Sequence, residues 1–393
     1  MNKHKYSLLK LFNFFSGFVL SWIYAFFLVK REKRIIFSST NNKHFIFNSK
    51  SLFMDQKSNF EAVGFEVFFV INDPIKRAQL NKQFPNSFIS NKGIKNKIFI
   101  LQSAVWVIST LDLPVAGLFL ARKRFVYHLG HGTPIKNIGL MEARCSLIKR
   151  FYYKIHATNI SLFLSPSLFF KQYIADAFGV SVEKTIVAPQ PRIDALFSTT
   201  NNLDKLRGNE HTKLILYCPT WRPFATTELF PFEGVELKKL NLFLAQRNIK
   251  ILLRLHPLFE GNLSQYERSN IMIFDSKLCP EISDVLADID ALITDYSSIY
   301  CDYYLLDRPV GFIPYDLEKY TKKIGFSFDY KALTSDCYLN NLTQFQDFID
   351  DVAEDKFDTS AQNEMKNRFN FIAEQSAGMF NYELILEKYR ELL

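Results

Sequence analysis

The chain has 393 residues, 48% hydrophobic and 16% aromatic, with 40 phenylalanines, a composition that buries large cores and excludes a disordered chain or a nucleic-acid-binding tail. Its length exceeds one comfortable core and suits two α/β domains of ordinary size. The formal charge is +8, but Lys3, Lys5, Lys10, Lys30, Arg31, Lys33 and Arg34 against Glu32 already give +6 in the first 34 residues, so no basic patch for nucleic acid marks the remainder.

Between those basic flanks, residues 11–29 read LFNFFSGFVLSWIYAFFLV, just long enough to cross a bilayer as a helix. Asn13, Ser16, Gly17 and Ser21 dilute the run and both flanks are basic, so an in-plane anchor fits as well as a span, and a buried amino-terminal helix is the third reading. KREKR follows where a signal peptide would place small residues for cleavage. Residues 1–33 are therefore expected to form a membrane-associating segment.

From Arg34 onward, β-rich apolar runs alternate with helix-length amphipathic stretches. IIFSS, EVFFVI, AVWVIS, RFVYHLG, SLFLS and TIVAP come before residue 190; KLILYCP, KILLRLHP, IMIFD, ALITD and VGFIP follow. This alternation predicts parallel sheets covered by helices. The polar stretch 197–212 separates the two series, giving an α/β chain of two Rossmann-like domains facing a cleft, over 34–196 and 213–393. In 141–158, helical spacing groups Leu147, Ile148, Phe151 and Ile155 on one face and Lys149, Arg150 and Lys154 on the other. The basic side reads as a solvated face or as a guide for an anionic polymer or lipid. The five cysteines, Cys145, Cys218, Cys279, Cys301 and Cys337, are scattered without metal-ligand spacing and read as free thiols of a reducing compartment.

Three motifs carry chemistry. In YHLGHGTPIKNIG (127–139) a strand ends in a glycine-bracketed histidine, His131; that edge of an open α/β sheet faces the ligand crevice, and an imidazole there can take a proton from a hydroxyl. His128, within the strand, is expected to pack. In ILLRLHP (251–257), alternation puts Arg254 and His256 on one face at a strand end, a guanidinium for bidentate phosphate contact beside an imidazole that stabilises or protonates a leaving phosphate. In ALITDYSSIYCDYYLLDRP (291–309), a strand turns at Asp295–Ser298 into a helix that Ser297 and Ser298 would cap, an arrangement suited to a diphosphate. Thr220 and Arg222 in CPTWRP add phosphate-facing candidates. Asp288 and Asp290 form a D-x-D, but at a helix-to-strand passage rather than a metal loop. No Walker loop, GxGxxG, HExxH or GxSxG occurs; no cofactor is implied, and a divalent-metal dependence is left open.

GHGTPIKNIG, PRIDAL, ILYCPTWRP, RLHP, LITDYSS and YDLEKY followed by FDY together resemble the CDP-glycerol glycerophosphotransferase family, the teichoic-acid primase and polymerase group, over about residues 34–380. The resemblance implies a glycosyltransferase-B fold, monotopic association with the cytoplasmic face of the membrane, and phosphoryl transfer from CDP-glycerol to a lipid-linked or polymer acceptor with release of CMP. Under it, 34–196 is the acceptor-side domain and 213–393 the nucleotide-donor domain. His131 is the candidate base, and His256, the second catalytic candidate, is a ligand of the donor diphosphate. Arg254, Ser297, Ser298, Asp295, Thr220 and Arg222 are donor-side candidates, and Thr133, Lys136, Arg192 and Asp194 acceptor-side ones. The sequence departs from the family pattern where Gly130 replaces an aromatic before the histidine, Pro189 a glycine, and Ile324 an arginine. A CDP-ribitol transferase, a nucleotide-sugar glycosyltransferase and a non-catalytic membrane assembly factor are the rival readings.

Overall fold

Residues 17–27, 31–143, 145–198, 203–255 and 263–393 are described from a computed structural model. They divide into two compact units. The first comprises residues up to Gly132, Gly139–Arg192 and Phe371–Leu393; the second comprises Thr133–Ile138 and Ile193–Asn370.

The first unit holds a parallel sheet of β1 (Glu32–Ser38), β2 (Glu66–Val70), β3 (Phe88–Ile89), β4 (Ser103–Ile108), β5 (Phe125–His128), β6 (Leu162–Ser165) and β7 (Thr185–Val187), in the order β3-β2-β1-β4-β5-β6-β7. Ile35, Ile36 and Phe37 of β1 and Val105, Trp106 and Val107 of β4 are fully buried, as strands covered on both faces require. Phe37 meets Phe53 of the helix Phe47–Ala62 at a ring-centroid distance of 5.6 Å. Arg124 is buried among carbonyls, donating to Ser103 and Leu120 at 3.0 and 2.6 Å and to Leu101. Leu101 ends the helix Ile94–Leu101, so this cation satisfies a helix carboxyl end.

The helix Ala377–Arg390 also belongs to this unit, which corrects the sequence-based bound at 213–393. Its Asn381 accepts from Tyr127 Oη at 2.8 Å and donates to the Pro189 carbonyl at 2.9 Å. A β-carbon on Gly378 would lie 1.8 Å from Asp55, so glycine permits the close approach. Ile385 enters the core beside Leu52 and Phe60.

Residues 17–26 are helical, and Ser21 and Ala25 are buried. Ser21 Oγ accepts from Leu118 N at 3.0 Å, and a β-carbon on Gly17 would strike the Ala116 carbonyl at 1.8 Å. One face of this helix therefore lies on the 115–118 loop. No helix among the described residues is long and apolar enough to cross a membrane; residues 11–16 and 28–29 of the 11–29 stretch lie outside the described residues.

The second unit holds β8 (Lys213–Cys218), β9 (Ile249–Leu253), β10 (Ile271–Ile273), β11 (Ala291–Thr294) and β12 (Val310–Phe312), all parallel, in the order β10-β9-β8-β11-β12. The short segment Thr133–Ile138 joins this unit through an antiparallel bridge of Lys136 with Phe326 and bonds from Ser327 N to the Ile135 carbonyl (3.0 Å) and from Asn137 N to the Gly325 carbonyl (3.2 Å).

Candidate active site

In each unit the strand order reverses once, between β1 and β4 and between β8 and β11. Ligands of open α/β sheets bind beyond the carboxyl ends of the strands at such points.

In the first unit, the chain leaving β5 passes through Gly130 and Gly132, with φ of +69° and +151°, conformations that a β-carbon disfavours. This turn leaves His131 exposed. Its Nδ1 lies 3.3 Å from the Ser109 carbonyl just past β4; a proton held there leaves Nε2 as the acceptor. Crowding by protein atoms lowers the His131 pKa from its ordinary 6.5, the Ser109 carbonyl acts the other way, and the Arg192 charge lowers it further. Exposure to water limits that shift. Arg192 Nη1 donates to the His131 carbonyl at 2.8 Å, so Arg192 braces the loop. His128 is buried between Phe163 and Phe178, and burial pulls its pKa to about 3. It packs as a neutral ring.

In the second unit, the residues after β8 and β11 lock together. Asp295, buried, accepts from Thr220 N at 2.7 Å, from its neighbour Tyr296 N and from Arg222 Nη1. Arg222, also buried, donates to Asp316 through Nη2 (2.7 Å) and Nε (3.1 Å), and lies over the rings of Tyr315 and Tyr296 at 4.7 and 4.9 Å. Tyr296 Oη donates to Asp316 at 3.0 Å. Burial works against the Arg222 charge, but Asp295 and Asp316 outweigh it and raise the pKa. Arg222 and Asp295 are thus occupied within a clamp that fixes the two strand-end loops, whereas the sequence reading has Arg222 facing a phosphate and Asp295 on the donor side.

Thr220 keeps a buried Oγ1 without a hydrogen-bond partner. Ser298 is the N-cap of the helix Ile299–Tyr303 but makes no side-chain capping bond, contrary to expectation, and Ser297 beside it is half-buried. That helix has five residues before it tightens into the 3₁₀ turn Tyr304–Leu306, so local N–H groups rather than a long dipole are what it offers an anion. Arg254 follows β9, is buried, and donates Nη1 to the Phe274 carbonyl at 3.2 Å. His256 lies outside the described residues.

Thr133 and Lys136, expected on the acceptor side, fold with the second unit. Burial lowers the Lys136 pKa, and Asp295, Arg222 and Cys218 are the charged or ionisable groups that act on it, so the lysine belongs electrostatically with the clamp. Arg192 ends one segment of the first unit, and Asp194 lies in the second. The Asp290 carboxylate accepts from Arg207 and from Leu214 N, both at 2.7 Å, and among the described residues no group of three or more His, Cys, Asp or Glu side chains is placed to hold a metal ion. Asp316 went unassigned on sequence because its partner Arg222 is 94 residues away. The YDLEKY motif was its only signal.

The sequence profile of the CDP-glycerol:poly(glycerophosphate) glycerophosphotransferases matches residues 21–379. The chain belongs to this family. It is 25% identical over 344 residues to the teichoic acid glycerol-phosphate transferase of Staphylococcus aureus, covering 81% of this chain and 84% of that protein. Against the teichoic acid poly(glycerol phosphate) polymerase of Bacillus subtilis the identity is 29% over 323 residues, covering 77% of this chain and 41% of the relative. The wall teichoic acid polymerase TagF superposes with a TM-score of 0.75 at 23% identity, covering 95% of this chain and 94% of that one, so the two share a fold. Membership makes this glycerophosphotransferase-family chain an enzyme of polyol-phosphate transfer.

Proposed function

We propose that the protein moves glycerol phosphate from CDP-glycerol to the terminal hydroxyl of a lipid-linked polyol-phosphate or glycan acceptor. His131 Nε2 takes the hydroxyl proton, the oxygen attacks the β-phosphorus of the donor, the bond to the bridging oxygen breaks, and CMP leaves with that oxygen and its electron pair. Arg254, His256, Ser297, Ser298 and the unpartnered Thr220 hydroxyl hold the diphosphate, while the Arg222 clamp keeps its loops in place. Positioning and electrostatics supply most of the acceleration in such transfers. The observation that carries the reading is the exposed, strand-end His131 with Nδ1 turned to a carbonyl, within a family match that spans residues 21–379.

A donor panel tests it. With a glycerol-phosphate-primed lipid acceptor, turnover of CDP-glycerol should exceed that of CDP-ribitol, UDP-glucose and CMP-sialic acid. Arg254→Ala, and Ser297→Ala with Ser298→Ala, should each raise the donor KM by roughly tenfold or more, as loss of a charge-assisted contact of about 1.5–3 kcal/mol would. Preference for CDP-ribitol would move the assignment within the family, and turnover of UDP-glucose would refute phosphotransfer.

The proposal includes peripheral association with the cytoplasmic face of the membrane. On the helix Leu147–Thr158, Leu147, Ile148 and Phe151 are 84%, 83% and 67% exposed. Arg150 and Lys154 are exposed too, and it is His156 and Ala157 that are buried, so the apolar residues meet solvent together with the cations. Apolar residues flanked by cations suit the boundary of an anionic bilayer. Leu147→Glu, Ile148→Glu and Phe151→Glu together should lower partition onto anionic vesicles by roughly tenfold or more, with turnover on a soluble acceptor unchanged. Undiminished flotation would reject this surface. Deleting residues 1–34 is a poorer test, because it cuts into β1.

A further inference from the structure

The helix Phe47–Ala62 starts in an unusual way. Phe47 has φ of +67°, a left-handed conformation that an aromatic side chain disfavours and that surrounding structure must impose. Its ring lies 5.2 Å, centroid to centroid, from the His131 imidazole, tilted by 35°. The next residue, Asn48, is fully buried. Its Nδ2 donates to the Leu129 and Gly130 carbonyls, both at 3.1 Å, and to Gln190 Oε1 at 3.2 Å, while its Oδ1 accepts from Arg192 N at 3.3 Å. The third residue, Ser49, donates its N–H to Ser109 Oγ at 2.8 Å, and the Ser109 carbonyl is what His131 Nδ1 faces. Three consecutive residues thus reach the ring, the loop and the Nδ1 partner of one histidine. Gly130 and Gly132 flank His131, so it has no aromatic neighbour along the chain; Phe47 supplies one from another element.

We propose that Phe47 and Asn48 are positioning residues for His131, the ring fixing the plane of the imidazole and the amide fixing the loop that carries it. The proposal rests on the reading of His131 as the base. Packing apolar area against an imidazole also disfavours its charged form, which agrees with the lowered pKa. Arg192 also acts to lower it, and His128 is neutral above pH of about 3.

Phe47→Gly separates the ring from the backbone, because glycine accepts the positive φ at no cost. The expected result is a kcat at least tenfold lower, KM and calorimetric Kd for CDP-glycerol within twofold of wild type, and an acid limb of the pH–rate profile moved to higher pH as the imidazole regains water. Thermal unfolding should not occur earlier. Phe47→Tyr should restore most of kcat. A wild-type kcat and pH profile in Phe47→Gly, with His131→Ala inactive, would overturn the positioning role alone. A fall in kcat matched by lost donor binding or early melting would assign Phe47 to scaffolding and overturn it too. An active His131→Ala would overturn the base assignment and this proposal together.

Discussion

His131→Ala is expected to lower turnover by about 10²–10⁴-fold, the usual contribution of a positioned general base, while CDP-glycerol binding measured by calorimetry stays within a few-fold of wild type. The separation follows from the architecture. His131 hangs on the β5 loop of the first unit, whereas Thr220, Arg254, Ser297 and Ser298 belong to the second, so removing the imidazole takes nothing from the donor's diphosphate contacts. The wild-type pH profile adds a sign. A base must be neutral to act, and crowding by protein atoms lowers the His131 pKa from 6.5; kcat/KM should therefore stay level through neutral pH and fall only as pH drops below roughly 6.5. Retained turnover in the variant would remove His131 from the mechanism, and lost nucleotide binding would reassign it to the donor.

The second large effect concerns stability. Arg222 is buried with two carboxylates bonded to it, so Arg222→Ala leaves Asp295 and Asp316 without their cation in a site water hardly reaches. Breaking a buried pair from one side costs about 3–5 kcal/mol, which for a unit of this size corresponds to a fall in Tm of roughly 6–20 °C. Arg222→Lys should recover little, because an ammonium cannot bridge two carboxylates as the planar fork does. Scanning calorimetry decides between the clamp and an open phosphate-binding arginine. The latter would leave Tm unchanged in both variants and show only as a higher donor KM.

Much of this was legible in the sequence because burial on both faces leaves a continuous apolar record. Ile35–Phe37 and Val105–Val107 announced β1 and β4. Phe88–Ile89, two residues in a polar stretch, announced nothing, and β3 was missed. The glycine-bracketed histidine was readable since a turn that needs positive φ writes itself in glycine. Phe47 adopts the same kind of backbone without glycine, and Asn48 works through partners at 129, 130 and 190, so neither leaves a local signal. For Leu147, Ile148 and Phe151, spacing identified a face but could not say whether protein covers it. Arg222 was singled out by type, yet its partners lie 73 and 94 residues away, and only the fold shows that they consume it.

The nucleotide product tests the central claim most directly. With CDP-glycerol and a primed acceptor, attack at the β-phosphorus breaks the pyrophosphate bridge, so chromatography and phosphorus NMR should find one CMP for each new phosphodiester. Release of CDP, with glycerol joined to the acceptor through a plain ether or glycoside-like bond, would contradict phosphotransfer and place the chemistry with the nucleotide-sugar glycosyltransferases.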